Sequence, residues 1–389
     1  MLTNTYDIIN AGPKNRFLCN GRVVSNSGKL IQPQNFPRPQ FKDAVIENFI
    51  ITCKQGFANI VYDDVTKMAS SAIRGMVVAS EGKKLVVADL SSIEGRCLAW
   101  LAGEEWKIQA YRDIDKNGGF DMYQLTYAKT FSVPVDSVDK EQRQLGKTLE
   151  LGLGYSGGVG AFLTFAKVYR INLDTLAGTK LPDHIRGQAE NFYEACVNKK
   201  GMKKYLCGLQ HDTFIACDGI KRMWREANPN ISAFWDKCEG AVRAVLNGSG
   251  PVDIGYCTVD KKGSWVRVKL PSGRYLSYPC MKSIDDKLYF LGVNQYSRKF
   301  GQLHTYSGRI AQNITQAVAR DILKHGEALA IKAGYDVLFP VHDEQVTEAP
   351  DTDEYNAEAL SAIMSTVPEW APGLPLAAAG FESYRYKKE

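Results

Sequence analysis

The spacing of apolar residues changes several times along the chain, and each change marks an element. Lys84 to Ala88 is a short apolar run ending at Asp89, as expected of a buried strand. Ser92 then stands where a helix cap would, ahead of Ile93, Leu98 and Leu101, with a stop at Gly103. Glu141 to Tyr155 has helical spacing, weakened by Gly146, Gly152 and Gly154, so this helix depends on tertiary contacts or a ligand for its order. Residues 160–250 read as mainly helical. Trp265 to Tyr278 reads as a hairpin turning at Pro271-Ser272-Gly273, and Gly308 to Ala333 as one long helix. Asp336 to Glu348 follows as two strands, with His342-Asp343-Glu344 near their junction. The first 40 residues, rich in Gly, Pro, Asn and Ser, read as loops with short strands. No internal repeat or low-complexity linker separates these pieces.

Bulk properties narrow the class without choosing a function. The 389 residues are 44% hydrophobic, enough for a large core, and the net charge of +5 permits nucleic-acid binding without requiring it. No segment approaches the roughly 18 apolar residues of a membrane span, and Met1 to Gly12 lacks the pattern of a secretory signal. Nine cysteines contain no CxxC pair, which argues against zinc or disulfide frameworks and for reduced thiols in a cytoplasm. Cys196, Cys207 and Cys217 read as plain buried thiols. The basic run Lys199, Lys200, Lys203 and Lys204 fits a solvated face as well as a DNA contact.

Two groups of residues could carry chemistry. Asp89 ends one strand and Asp343 sits at the tip of a hairpin, so a sheet could bring two hard carboxylates together for magnesium. Each alone more often belongs to a solvated turn. Arg143, Lys147, Leu151 and Tyr155 recur every four residues; at about 100° per residue they share a face about 120° wide. Two cations and a ring suit a nucleoside triphosphate, although the spacing alone fits an amphipathic helix with surface cations better.

Asp89-Leu90-Ser91-Ser92-Ile93-Glu94-Gly95-Arg96 resembles motif A of the family A DNA polymerases, the DNA polymerase I family. Arg143-x3-Lys147-x3-Leu151-Gly152-x2-Tyr155 resembles its motif B, and Val341-His342-Asp343-Glu344 its motif C, in matching order and spacing. Gly21-Arg22 with Gln34-Asn35-Phe36-Pro37 looks like the family's lead into the palm. Arg309 to Gln316 resembles its minor-groove-sensing helix, especially in phage-type members. Arg309, Asn313, Gln316 and Arg320 form a polar stripe able to check pairing without reading sequence.

The resemblance implies an α+β right-hand polymerase core, with an antiparallel palm sheet and inserted, mainly helical fingers. The implied divisions are palm at 1–110, fingers at 111–300 and palm again at 301–389, with thumb and exonuclease domains expected to be absent. It implies template-directed addition of dNMP to a primer 3′ end by a two-metal mechanism, using two Mg2+ with Mn2+ able to substitute, in phage or prophage replication within a bacterial cytoplasm. Asp89 and Asp343 would ligate the metals with the Leu90 carbonyl; Arg143 and Lys147 would hold the triphosphate, Lys147 also giving a proton to pyrophosphate. Tyr155 would cover the templating position and Glu94 would block a ribose 2′-hydroxyl. Arg22, Arg309, Asn313 and Gln316 would contact primer–template DNA, with His342 and Glu344 supporting the primer end. The chain departs from the family at Leu151 (usually Phe or Tyr), Ser156 (usually Gly) and Tyr123 (commonly a triphosphate-facing His), all near the dNTP. Other readings are the catalytic half of a split polymerase whose partner chain supplies a thumb or exonuclease, a single-subunit RNA polymerase-like enzyme, and a silent DNA-binding subunit. Glu94 argues against the second, and the set Asp89, Asp343, Arg143 and Lys147 against the third.

Overall fold

The computed structural model describes residues 36–387 except Arg38, Gln295 and Tyr296, together with the backbone of two antiparallel strands, β1 (Arg16–Cys19) and β2 (Arg22–Ser25). Gly21, Gln34, Asn35 and the Arg22 side chain, all expected to lead into the palm, lie outside the described residues. Helices α1 (Asp43–Lys54), α2 (Ala58–Val61) and α3 (Val65–Ala72) precede strand β3 (Lys83–Leu90). Then come α4 (Ile93–Ala102), α5 (Glu105–Asn117), α6 (Met122–Phe131), α7 (Lys140–Leu153), α8 (Val159–Val168), α9 (Asp183–Asn198), α10 (His211–Ala227) and α11 (Pro229–Leu246). Short strands follow: β4 (Val252–Asp253), β5 (Thr258–Lys262), β6 (Trp265–Lys269), β7 (Tyr275–Pro279), β8 (Lys282–Ile284), β9 (Lys287–Val293) and β10 (Phe300–Thr305). The long helix α12 (Ser307–Lys332) leads to β11 (Asp336–Val341), β12 (Glu344–Pro350), α13 (Ala357–Met364) and β13 (Ala378–Ser383).

The chain forms two compact units: Met1–Asp89 with Glu327–Met364 and Ala378–Glu389, and Leu90–Gly326 with Ser365–Ala377. The first is built on a four-stranded sheet in the order β11-β12-β3-β13, with β12 antiparallel to both β11 and β3. Leu85 to Ala88 is at most 1% exposed, so β3 is covered on both faces, which is why it reads as an unbroken apolar run. Leu85 and Val87 share one face and pack with Ala79, Val341, Val346 and Tyr386. A separate core of Ile46, Phe49, Ala58, Met68 and Ala72 holds α1 to α3 together. The chain leaves this sheet at the end of β3 and rejoins it at β11, with a mainly helical insertion between, as the α+β expectation required.

The second unit carries α4 to α11 and two small antiparallel sheets, β4-β5-β6-β7 and β10-β9-β8. The β6–β7 turn lies where the sequence placed it: Gly273 takes φ +84°, and the Leu270 N–H donates to the Arg274 carbonyl at 2.8 Å. Among the described residues no helix is long and apolar enough to cross a membrane. The described cysteines are all free; Cys196 and Cys217 are buried as expected, whereas Cys207 is exposed at a left-handed turn. Lys199, Lys200, Lys203 and Lys204 are all exposed.

Two local expectations need correction. Ser92 stands immediately before α4, at the capping position, but its side chain makes no capping bond. The chain turns from β3 into α4 within two residues, and this forces Ser92 to φ +51° instead of the extended conformation that side-chain capping needs. The helix expected to reach Tyr155 stops at Leu153. Beyond it, Ser156 adopts φ +58°, and Gly157 packs so tightly on the Gly152 carbonyl that a Cβ would lie 1.9 Å from its oxygen. A turn folding back onto its own helix end leaves no room for further helical residues, and Tyr155 sits in that turn.

Gly146 shows what the weak helical pattern of α7 depends on. A Cβ there would stand 2.1 Å from the Tyr123 carbonyl oxygen, so α6 and α7 approach backbone to backbone. Gly146→Ala should therefore destabilise the chain by roughly 1–3 kcal/mol, read as a lower urea midpoint at unchanged slope. A gain in stability, as for alanine in an open helix, would contradict that approach.

Candidate active site

The first group of site residues lies at one end of the β3–β12 pair. Glu344 is paired directly with Asp89, and Val341 with Glu344, which leaves His342 and Asp343 as the whole connection between β11 and β12. Opposed residues sit roughly 4.5–5.5 Å apart at Cα, so register alone brings Asp89, Asp343 and Glu344 to one place. Asp89 and Asp343 are partly exposed and His342 is exposed. His342 takes φ +56°, a conformation uncommon for a non-glycine residue and frequent at functional sites. Leu90 completes β3 and is 1% exposed.

Glu344 differs from its neighbours. It is 3% exposed, and its Oε1 accepts a short hydrogen bond from the Tyr386 hydroxyl. Arg74 Nη1 in turn donates to that hydroxyl at 3.2 Å. As it stands, the Glu344 carboxylate faces the interior of this unit. The donor set is otherwise all oxygen. Among the described residues, no three His, Cys, Asp or Glu side chains converge on a point that could hold a metal ion. Two carboxylates at one end of a strand pair are hard oxygen donors of the kind Mg2+ takes, one or two at a time, with water and substrate phosphate completing its shell.

In the second unit, Arg143 and Lys147 lie on the face of α7 away from its buried residues Leu145, Thr148 and Leu149. Arg143 Nε donates to Asp121 Oδ2 at 2.6 Å, and its guanidinium lies 5.5 Å from the Tyr123 ring centroid. Lys147 Nζ sits 5.7 Å from the Tyr123 ring and 4.8 Å from the Tyr169 ring, and among the described residues it makes no ion pair. Leu151 is 40% exposed on the same helix. The face is held by Glu150, whose carboxylate accepts from Lys107, a fully buried lysine, and from Thr126 Oγ1 at 3.1 Å. Burial, followed by the Glu150 charge, raises the Tyr123 phenol pKa above the ordinary tyrosine value.

A third cluster joins residues that the sequence had assigned to separate roles. The Tyr155 hydroxyl donates to Glu94 Oε2 at 3.3 Å, and Gln316 Nε2 donates to Glu94 Oε1 at 3.2 Å. Along α12, Arg309 and Gln316 are exposed and Asn313 and Arg320 partly so, while Ile310, Ile314 and Val318 are buried. Asn313 is turned to the Tyr278 hydroxyl at 3.0 Å. Sequence reading missed Asp121, Tyr169, Glu150, Arg74 and Tyr386. Only Asp121 left a local trace: Asp121-x-x-Gln124 is a capping box for α6, formed as such, and the same carboxylate reaches Arg143.

A model of DNA polymerase family A matches residues 55–172. The chain is 32% identical over 372 residues to a DNA polymerase of Bacillus phage SP02, covering 93% of this chain and 50% of that protein. It is 39% identical over 90 residues to DNA polymerase I of Chloroflexus aurantiacus, 23% of this chain and 9% of that protein. Among solved structures, the POL domain of an M. smegmatis protein in complex with DNA primer-template and dNTP aligns with 94% of this chain and 46% of that chain, at TM-score 0.49 and 19% identity. The chain thus spans half or less of the length of these relatives.

The Tyr155 phenol pKa is raised well above the ordinary value, mainly by burial and next by the Glu94 carboxylate. A group with a raised folded-state pKa contributes stability that is fully present below its unfolded value of about 10 and lost as pH rises towards the folded one. Urea unfolding between about pH 9 and 11 should show stability falling with pH, and Tyr155→Phe should make the fall shallower. An identical slope in the variant would place this phenol in solvent.

Proposed function

The chain belongs to DNA polymerase family A, and from that premise we propose that it catalyses template-directed DNA synthesis, adding dNMP to a primer 3′ end with release of pyrophosphate. One observation carries the reading most: the β3–β12 register that sets Asp89 beside the Asp343 turn. Two divalent cations bound there would activate the 3′-hydroxyl and neutralise charge on the leaving pyrophosphate. Asp89 and Asp343 would hold them, with the Leu90 carbonyl assisting. Arg143 and Lys147 would grip the triphosphate, Arg143 exchanging the Asp121 carboxylate for phosphate oxygens and Lys147 delivering a proton to pyrophosphate. Glu94, held by Tyr155 and Gln316, would lie against the sugar and reject a ribose 2′-hydroxyl by sterics and desolvation. Arg309 and Gln316, exposed on α12, would meet the minor groove of primer–template. Similarity to a phage DNA polymerase supports replication of a phage genome as the setting.

Primer extension by the purified chain tests the reading. Asp89→Ala or Asp343→Ala should lower extension by about a thousandfold or more, since each metal contributes several kcal/mol. Primer–template affinity, which comes from phosphate contacts elsewhere, should stay close to wild type. Near-normal extension by either variant would sink the assignment. Glu94→Ala should raise ribonucleotide incorporation relative to deoxynucleotide, measured as paired kcat/KM values. Unchanged selectivity would place the sugar gate elsewhere.

A further inference from the structure

Asp89, Asp343 and Glu344 lie within one strand register, yet no three-carboxylate group forms among the described residues. Asp89 and Glu344 are directly opposed on antiparallel strands, so their side chains project from the same face of the sheet, an arrangement in which like charges repel. Something must fix where the second carboxylate goes. The Tyr386 hydroxyl donates to Glu344 Oε1. Tyr386 is itself pinned: its backbone N–H donates to the Val77 carbonyl at 2.9 Å, and its ring packs among Leu85, Val87, Val341 and Val346. Arg74 backs the phenol, with Nη1 on its oxygen at 3.2 Å and the guanidinium 5.8 Å from the ring centroid. The other donors of Arg74 go to the carbonyls of Pro37 at 3.1 Å and Phe36 at 3.0 Å, so the fork has little freedom. Arg74, Glu344 and Tyr386 are each at most 4% exposed. In such an interior each bond polarises the next, from guanidinium to phenol to carboxylate.

We propose that Tyr386 and Arg74 are positioning residues that withhold Glu344 from the cation site, so that Asp89 and Asp343 bind divalent cations weakly until substrate phosphates complete the shell. The proposal rests on the assignment of those two aspartates made above. It separates two carboxylates of one turn by role: Asp343 is presented to the cation, and its neighbour is tied back into the sheet's core. Burial, and next the hydrogen bond to Glu344, raises the Tyr386 phenol pKa above the usual tyrosine range, which favours the protonated donor.

The test is Mn2+ titration of the full chain without DNA or nucleotide, following free Mn2+ by electron paramagnetic resonance. Tyr386→Phe removes the hydroxyl and keeps the ring. It should tighten Mn2+ binding by a factor on the order of ten, the scale on which outer-shell partners tune metal affinity. Glu344→Gln in the same chain should cancel the gain. Arg74→Lys, which keeps the charge and loses the fork, should tighten binding by a smaller factor and serves if Tyr386→Phe does not fold. A residue that merely filled the core could lower stability but would not improve cation affinity. Unchanged or weaker binding in both variants, or a gain that survives Glu344→Gln, overturns the proposal. Asp343→Ala separates the two levels: if it leaves Mn2+ affinity intact, the assignment of the aspartates fails; if it weakens binding while Tyr386→Phe changes nothing, only the withholding role fails.

Discussion

The register of β3 against β12 is the constraint on which the rest of the first unit depends. Pairing Glu344 with Asp89 fixes every other pair along the ladder, and a slip of β3 by one residue would turn Leu85 and Val87 out of the core they share with Val346 and put Asp89 on the opposite face from Glu344. Burial of those side chains therefore holds the chemistry in place. Each fully buried Val or Leu contributes on the order of 1.5–3 kcal/mol, and the slipped alternative would forfeit several at once. The two-residue turn needs this support, because His342 is in a backbone region that is costly for a side-chain-bearing residue.

The second unit positions its cations through buried charge. Lys107 is wholly buried and would be prohibitively costly there without the Glu150 carboxylate, which lies on the same helix as Arg143 and Lys147. Removing one partner of such a pair leaves an uncompensated charge and costs about 3–5 kcal/mol. The ion pair thus ties α7 to α5, while Gly146, one turn before Glu150 on the same side of α7, allows the close approach of α6. Asp121 closes the arrangement, capping α6 with one oxygen and holding Arg143 with the other. Glu94, Tyr155 and Gln316 form a comparable join, in which one carboxylate bridges α4, the turn after α7 and α12.

Much of this was legible along the chain. The β6–β7 hairpin, the long α12 and the strand pair around His342-Asp343 announce themselves through a period of 2 or 3.6 imposed by burial of one face, and the run before Asp89 through its unbroken apolar character, imposed by burial of both. Spacing of four likewise placed Arg143 and Lys147 together on a helix face. What the sequence left open was every feature set by residues far apart. Arg74 and Tyr386 are separated by 312 positions and Tyr386 and Glu344 by 42, so no window of sequence could reveal that one carboxylate of the motif turns inward. The end of α7 was misread because helical spacing continues to Tyr155, while the stop comes from Gly157 closing on the Gly152 carbonyl. Sequence by itself determined which elements form and which side chains each presents. Tertiary structure decided which of those side chains are held and by what, since hydrogen bonds and ion pairs depend on distances between atoms that the order of residues does not encode.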